Sequence, residues 1–224
     1  MNVASPDGTR ISFEVEGDGP PLLLLHGFSN DRSMWSRIGW VCRLRADFTV
    51  ITMDIRGCGD SEKPESTTAY SLDRHLADIQ AVLSSCRAAR PMVWGWSLGA
   101  TIALHFAKRG EPVASVASGS YFGPIFTPTY VESWLADSST ELERARWLGL
   151  GTWPTVEAAD VRGRLLVCTG TQDGNVVVKL EDQRNSIEAM GGRLHVFAGL
   201  NHIELVTVTK AVAPVIEAFL HAAV

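Results

Sequence analysis

Short apolar runs alternate with amphipathic segments along the chain, and this alternation predicts β-strands that alternate with helices. The runs are too short for helices and are typical of strands that a sheet buries on both faces. Polar and apolar residues alternate over 9–15, which predicts an edge strand there. The predicted buried strands are residues 22–25, 48–53, 91–96, 113–117, 165–169 and 193–197.

The segments between these strands carry apolar residues at helical spacing. Ser71 is expected to cap one helix, and Ser138 with Glu141 forms a capping-box pattern before another. The order of elements predicts an α/β fold, with a mostly parallel central sheet covered by helices on both faces. In such sheets, ligands bind at the carboxyl ends of the strands. The predicted helices are the one after Ser71 and residues 35–45, 98–108, 130–136, 140–148, 177–189 and 211–222.

A chain of 224 residues, 46% of them hydrophobic, is long enough to bury one substantial core. We therefore expect a single domain over 1–224. The formal net charge is −5, and lysine and arginine are scattered along the chain. Neither nucleic acid nor an anionic membrane is therefore an expected partner.

Targeting and redox signals are weak. The first residues lack the basic and apolar regions of a signal peptide, and no apolar run approaches the ~18 residues of a membrane span. Together these features predict a cytoplasmic protein. The cysteines lack metal-type spacing, so we expect free thiols in packed positions and no metal site. They are Cys42, Cys58, Cys86 and Cys168.

The stretch VWGWSLGAT, residues 93–101, places Ser97 between Gly95 and Gly99 where a predicted strand meets a predicted helix. A chain that reverses so abruptly crowds its neighbours, and a Cβ at either glycine would clash with the adjoining strand or helix. Such a turn presents the hydroxyl at a helix N-terminus, where backbone N–H groups favour negative charge. The pattern G-x-S-x-G in this setting is typical of a nucleophile elbow, although glycine and serine also recur in ordinary surface turns.

A serine hydroxyl needs a base to take its proton and a carboxylate to orient that base. Asp173 follows one predicted buried strand and His202 follows the last one, so both lie where strands of the sheet end. The order serine, acid, histidine is that of an α/β-hydrolase elbow. Asp54 also lies at a strand end and is the alternative acid, although it could instead brace the loop beside Arg56. The other histidines are expected to be packed or solvated: His26, His75, His105, His195 and His221.

Acyl transfer also needs donors for the oxyanion that develops on the carbonyl. The backbone N–H of Leu98 follows the nucleophile and supplies one donor. The second is expected from LLLLHGFSNDRSMW, where Gly27 lets the backbone come close and leaves the N–H of Phe28 able to point at the site. The alternative is that the His-Gly pair merely ends a strand.

The segments GDGPPLLLLHGF, DIRGCGDSEKP, GWSLGATIALHFA, TGTQDG and GLNHIELV resemble, in order, the signature segments of the α/β-hydrolase superfamily. The likeness spans nearly the whole chain apart from one insertion. It implies a cofactor-free hydrolase of the esterase and lactonase type. It further implies Ser97, Asp173 and His202 as the triad, with the N–H groups of Phe28 and Leu98 as the oxyanion hole. The chain looks unlike relatives that cleave halides or epoxides, because their elbow carries an aspartate.

Two departures from the superfamily pattern stand out. Members often have glycine before the triad histidine, whereas this chain has Asn201, which tolerates left-handed backbone. The insertion, at about 121–162, replaces a full helical cap and is too short for a packed domain, so we expect a small lid.

Aromatic residues of this insertion, together with Trp96 beside the nucleophile, are candidates for the wall of an apolar substrate pocket. The alternative for each of them is packing against the body of the protein. The candidates are Trp96, Phe122, Phe126, Trp134, Trp147 and Trp153.

These features predict a serine hydrolase that cleaves carboxylic esters or lactones of small to medium, partly apolar substrates through an acyl-enzyme on Ser97. No cofactor is expected, and the expected partner is the small-molecule ester or lactone itself. Acyl transfer to an alcohol or peroxide, and hydrolysis of a C–C bond next to a carbonyl, are alternatives on the same triad. A ligand-binding receptor with slow turnover is the alternative outside catalysis. The sequence leaves the substrate and the oligomeric state open.

Overall fold

One sheet of eight strands runs through the computed structural model, which describes residues 1–224. Its strands are β1 (Asn2–Ala4), β2 (Arg10–Glu16), β3 (Pro21–Leu25), β4 (Thr49–Met53), β5 (Met92–Trp96), β6 (Ala114–Ser118), β7 (Arg164–Gly170) and β8 (Arg193–Phe197). Their order across the sheet is β1-β2-β4-β3-β5-β6-β7-β8. All pairs from β4 to β8 are parallel, whereas β1 and β2 pair antiparallel to their neighbours. The predicted mostly parallel sheet is confirmed.

Helices connect the parallel strands and cover both faces of the sheet. They are α1 (Ser33–Arg37), α2 (Trp40–Leu44), α3 (Leu72–Ser85), α4 (Leu98–Lys108), α5 (Pro128–Asp137), α6 (Glu141–Leu150), α7 (Gly174–Ala189), α8 (Glu204–Thr207) and α9 (Thr209–His221). Two 3₁₀ turns complete the set, at Thr67–Tyr70 and Ala158–Asp160. None of the helices combines the length and the apolar character that crossing a membrane requires.

The edge of the sheet differs from the prediction. The segment predicted as an edge strand forms β2, but β1 pairs outside it, with Val3 opposite Ile11. Ile11 and Phe13 of β2 are almost completely buried, as expected for an interior strand. A three-residue strand shows too little periodicity for the sequence to reveal it.

The helix predicted over 35–45 is interrupted. Gly39 adopts φ 89°, a left-handed conformation that ends α1 and separates it from α2.

The predicted helix caps also differ from the observed ones. Ser71 precedes α3 without a side-chain capping bond.

The capping box before α6 lies two residues later than predicted. Thr140 and Glu143 form it, each side chain binding the backbone N–H of the other, in place of Ser138 and Glu141. Thr140 has the extended backbone that an N-cap requires, so the helix begins one residue after it.

Alternate residues of β3 show how the sheet is held from both sides. Leu22 and Leu24 belong to a buried cluster with α1, α2 and α9, whereas Leu23 and Leu25 belong to another with α3 and α4. All four leucines are inaccessible to solvent. Because side chains alternate across a strand, an apolar run buried on both faces fixes the strand in the middle of the fold. The carboxyl ends of the central strands are therefore firmly positioned.

The insertion between β6 and β7 contains α5, α6 and the second 3₁₀ turn. In α5 only Val131 is buried, and Tyr130 and Trp134 are 41% and 43% exposed. In α6, by contrast, Arg146 and Trp147 are buried. The second helix of the insertion is therefore the one that packs against the body of the protein.

Candidate active site

Ser97 lies at the junction of β5 and α4, with φ 56° and ψ −119°. This conformation is rare for a residue with a side chain and persists only where the surrounding structure holds it. The N–H of Ser97 donates to the carbonyl of Ser118 at 2.9 Å. A Cβ at Gly95 would lie 2.0 Å from the carbonyl oxygen of Gly99, and one at Gly99 would lie 2.2 Å from that of Leu25. The turn therefore requires glycine at both positions.

Asp173 and His202 form a hydrogen-bonded pair in the loops that follow β7 and β8. Nδ1 of His202 lies 2.8 Å from Oδ1 of Asp173, and the Asp173 side chain is only 3% exposed. The hydroxyl of Thr169 donates to the other carboxylate oxygen at 3.0 Å. Because a carboxylate only accepts, the bond places the proton of the imidazole on Nδ1 and leaves Nε2 as a base.

Ser97 and His202 line the same cavity, at the carboxyl ends of β5 and β8. Gly119 follows β6, and a Cβ there would lie 2.7 Å from Cε1 of His202. The glycine therefore leaves room for the imidazole beside the end of β6. The two side chains and Asp173 thus come from three separate strand ends of one sheet edge, as the sequence predicts for a parallel sheet.

Two backbone N–H groups beside Ser97 donate to no acceptor within the protein, those of Phe28 and Leu98. Leu98 is the first residue of α4, where N–H groups have no partner in their own helix. Phe28 follows Gly27, where a Cβ would lie 2.8 Å from the Trp96 ring and 3.2 Å from Cβ of Ser97. The glycine thus lets this loop approach the serine closely. Unpaired N–H groups in this position can bind an oxyanion.

A cavity of about 490 Å³ opens beside Ser97, and its wall is mostly apolar. Four of the aromatic candidates line it, Trp96, Phe126, Trp134 and Trp147. Trp134 and Trp147 stack with their ring centroids 5.0 Å apart. The insertion therefore contributes flat aromatic surface to the site.

The structure places the other two candidates, Phe122 and Trp153, outside the cavity, where they pack in the body of the protein. Trp153 donates its indole N–H to the carbonyl of Tyr70 at 2.9 Å and packs edge-on against His75. Gln183 binds both the N–H and the carbonyl of Phe122, at 3.0 and 2.7 Å. These bonds between residues distant in the chain hold the two aromatic rings in buried apolar clusters.

Several residues of the cavity escaped the sequence analysis. Tyr130 lies one helical turn before Trp134 and faces the same way, which was an available signal. Asn30 follows the predicted oxyanion residue closely, and Asn175 comes two residues after Asp173, so proximity to the predicted site pointed to both. The lining residues missed include Asn30, Tyr121, Ile125, Tyr130, Asn175 and Val176.

Asp54, the alternative acid, has a structural role. Its buried carboxylate accepts from the N–H groups of Arg32 at 2.6 Å and Asp60 at 2.8 Å and pairs with the Arg32 guanidinium. The arginine that it meets is therefore Arg32 rather than the expected Arg56. Arg56 instead forms a buried, two-pronged ion pair with Asp78.

His26 joins the loops that follow β3 and β4. Burial lowers the pKa of its imidazole to about 4, so the ring is neutral. Nδ1 donates to the carbonyl of Gly27 at 2.7 Å, and Nε2 accepts from the N–H of Ile55 at 3.1 Å. The ring thereby supports the loop that carries Phe28.

Comparisons with known proteins agree with the observed fold. The sequence model of the α/β-hydrolase fold family matches residues 20–168. A soluble epoxide hydrolase from Corynebacterium sp. (strain C12) is 34% identical over 101 residues, which are 45% of this chain and 34% of that protein. The pimeloyl-[acyl-carrier protein] methyl ester esterase of Vibrio parahaemolyticus is 29% identical over 152 residues, which are 61% of this chain and 55% of that protein.

Among solved structures, the enol-lactonase from Burkholderia xenovorans LB400 has a TM-score of 0.81 and 19% identity, covering 99% of this chain and 100% of that one. This likeness concerns the fold. The chain spans between about a fifth and a half of the length of the curated relatives that it matches.

Proposed function

Because the chain belongs to the α/β-hydrolase fold family, we propose that it is a serine hydrolase that cleaves carboxylic esters or lactones through an acyl-enzyme on Ser97. One observation carries this proposal. The strained elbow serine and the Asp173–His202 pair stand at one cavity, beside two backbone N–H groups that have no acceptor.

The first half-reaction acylates Ser97. Nε2 of His202 takes the hydroxyl proton while Oγ attacks the carbonyl carbon of the ester. Asp173 holds the imidazole by its Nδ1–H and stabilises its positive charge. The tetrahedral intermediate then expels the alcohol, which leaves with the proton from His202. For a lactone the alcohol stays attached to the acyl group.

The N–H groups of Phe28 and Leu98 bind the oxygen that becomes negative in this intermediate. Each such donor lowers the activation barrier by roughly 3 kcal/mol in comparable sites. In the second half-reaction, His202 takes a proton from water, and the hydroxide adds to the acyl carbon. Collapse of the second intermediate returns the proton to Ser97 and releases the acid.

The nucleophile separates this chemistry from that of the epoxide hydrolase relative. A serine at position 97 forms an ester with a carbonyl substrate, and epoxide-cleaving relatives carry an aspartate at the elbow. The relative from Vibrio parahaemolyticus is named as a methyl ester esterase, and ester hydrolysis is the reaction class proposed for this chain. We therefore favour ester or lactone hydrolysis over ring opening of epoxides.

The cavity supports substrates that are small to medium in size and partly apolar. Its volume of about 490 Å³ falls within the range of small-molecule sites, and aromatic rings form much of the wall. We further propose that residues 121–162 act as a small lid on a single domain over 1–224, since α5 and α6 supply Trp134 and Trp147 to that wall.

The test is hydrolysis of p-nitrophenyl esters from acetate to palmitate by the wild type, Ser97→Ala and the exposed-serine control Ser36→Ala. The proposal expects turnover by the wild type and by Ser36→Ala, and none above background by a folded Ser97→Ala. The acyl chain length that gives the highest turnover then indicates the size of the pocket. Wild-type turnover retained in Ser97→Ala contradicts the proposed nucleophile.

If the folded wild type turns over no ester or lactone but binds such compounds saturably, the receptor alternative replaces hydrolysis. Product analysis with added alcohol or peroxide separates hydrolysis from acyl transfer. An ester product formed in preference to the acid shows that the acyl-enzyme is transferred to an acceptor other than water.

A further inference from the structure

The insertion helix α6 carries a buried cation with no carboxylate partner. Arg146 is 9% exposed, and its guanidinium binds a backbone carbonyl and a thiol instead of an acid. A buried charge without an opposite charge is costly and needs other favourable contacts. Those contacts identify what Arg146 holds.

Two of these contacts are to Phe28. Nη2 of Arg146 donates to the Phe28 carbonyl at 2.6 Å, and its guanidinium carbon lies 3.8 Å from the centre of the Phe28 ring. Trp147, the next residue of α6, stacks on the same ring with centroids 4.2 Å apart. Two flat groups at these distances cannot share one face, so the Phe28 ring lies between Arg146 and Trp147.

A slot in the loop after β4 admits the arginine. Gly57 has φ 81°, and a Cβ there would lie 3.1 Å from Cδ of Arg146. The Sγ of Cys58 accepts from Nη2 at 3.0 Å, and burial raises the pKa of this thiol, so the sulfur is uncharged. The guanidinium is thus fixed in orientation by groups on both loops that flank the site.

The carbonyl and the ring of Phe28 are therefore held from α6, and only its N–H is free. We propose that Arg146 is a positioning residue that fixes the Phe28 N–H toward the oxyanion site, and this role rests on the proposed function. Fixing the carbonyl and the side chain of a residue leaves its N–H little freedom to turn away. The lid thereby acts on the reaction through the oxyanion hole as well as through the pocket wall.

A role confined to packing makes a different prediction. Loss of packing lowers the free energy of unfolding but leaves each folded molecule as active as before. Loss of positioning weakens binding of the oxyanion in the transition state, which lowers kcat more than it raises KM. The two roles therefore separate in kinetics measured on folded protein.

The experiment compares Arg146→Met and Arg146→Lys with the wild type and with the control Arg144→Met. Arg144 lies on the same helix, but it is exposed and binds only the carbonyl of Leu135. Met keeps the volume and loses both polar contacts, whereas Lys keeps the charge and cannot stack flat on a ring. The readouts are kcat and KM for p-nitrophenyl acetate, melting temperature, and the Kd of phenylboronic acid.

Boron becomes a tetrahedral anion when the Ser97 oxygen adds to it and the hydroxyl proton passes to His202, so the boronic acid reports on the oxyanion hole. We expect kcat of Arg146→Met to fall on the order of 10²-fold, boronate affinity to fall in parallel, and KM to change little. Arg146→Lys is expected to lose about tenfold in kcat, and Arg144→Met to match the wild type.

Wild-type kcat and boronate affinity in a folded Arg146→Met overturn the positioning role. If that variant does not fold, the same values in a folded Arg146→Lys overturn it. Absence of turnover in the wild type overturns the proposed function together with this role. If the wild type hydrolyses the ester and the Arg146 variants do so with the same kcat, this role alone is overturned.

Discussion

The indole N–H of Trp96 donates a hydrogen bond to the backbone carbonyl of His202 at 2.9 Å. The two rings lie 5.4 Å apart between centroids, and Trp96 is 7% exposed. The residue before the proposed nucleophile therefore holds the backbone of the proposed base, although 106 positions separate them in the chain. This bond ties the loop after β8 to the elbow.

Replacing Trp96 by Phe keeps an aromatic ring in the cavity wall and removes the hydrogen bond. A bond of this kind contributes about 1 kcal/mol, so we expect kcat for p-nitrophenyl acetate to fall by roughly fivefold with a small change in melting temperature. Trp153→Phe is the control, because it loses an equal bond to the Tyr70 carbonyl outside the cavity. Equal kcat losses in the two variants would contradict the role of the Trp96 bond.

The hydroxyl of Thr169 holds the acid. It donates to Oδ2 of Asp173, while Oδ1 binds His202. In Thr169→Val the carboxylate loses this donor and is free to rotate away from the imidazole, so we expect kcat/KM to fall about tenfold. Thr52→Val is the control, because Thr52 is also a buried threonine but lies in β4. A Thr169→Val enzyme with wild-type kcat/KM at every pH would argue that Asp173 needs no such support.

The elbow depends on the small size of Gly99. In Gly99→Ala the new Cβ meets the carbonyl oxygen of Leu25 at 2.2 Å, and both are backbone-anchored, so α4 must shift from β3. We expect the free energy of unfolding to fall by about 3 kcal/mol, as for other overpacked sites, and turnover to be lost. Urea unfolding measures the first effect and ester hydrolysis the second.

Gly151→Ala is the matched control for this substitution. Gly151 has φ −61°, and a Cβ there would meet nothing closer than a methyl group of Val131, at 3.3 Å, with the nearest backbone oxygen at 3.5 Å. We expect its stability and turnover to stay near those of the wild type. Similar losses at the two glycines would show that any added methyl destabilises this protein, and the elbow argument would fail.

Local sequence patterns account for the elements whose signals are local. The apolar runs and the elbow glycines predicted β3, β5 and α4 to within a residue or two, because burial on both faces and close approach leave few other residues acceptable. Gly39 looked like a tolerated glycine within a helix, and nothing nearby in the chain announced its left-handed backbone.

Local sequence patterns could not predict contacts between segments that are distant in the chain. Trp134 and Trp153 look alike in the sequence, yet one lines the cavity and the other binds Tyr70. Arg146 meets Phe28 across 118 positions, and a single arginine in an amphipathic helix is most often solvated. That Ser97, Asp173 and His202 come together was predictable because the carboxyl ends of parallel strands meet at one end of the sheet.

Three buried histidines make the fold sensitive to acid. Burial lowers the pKa of His26 and His105 to about 4 and that of His75 to about 3, whereas an unfolded histidine has its ordinary value of 6.5. Below pH 6.5 the unfolded chain binds protons that the folded chain does not, so stability is lost as the pH falls toward 4. Each ring contributes up to about 1.4 kcal/mol per pH unit.

His105→Phe tests this linkage, because the ring of His105 makes no hydrogen bond and packs edge-on against Trp153. The variant removes one titrating group whose pKa is lowered, so the slope of the free energy of unfolding against pH between pH 6 and 4.5 should fall by up to about 1.4 kcal/mol per pH unit. Urea unfolding at a series of pH values measures it, with the half-exposed His221 changed to Gln as control. An unchanged slope in His105→Phe would mean that this histidine is protonated in the folded protein, and the acid sensitivity would then have to arise elsewhere.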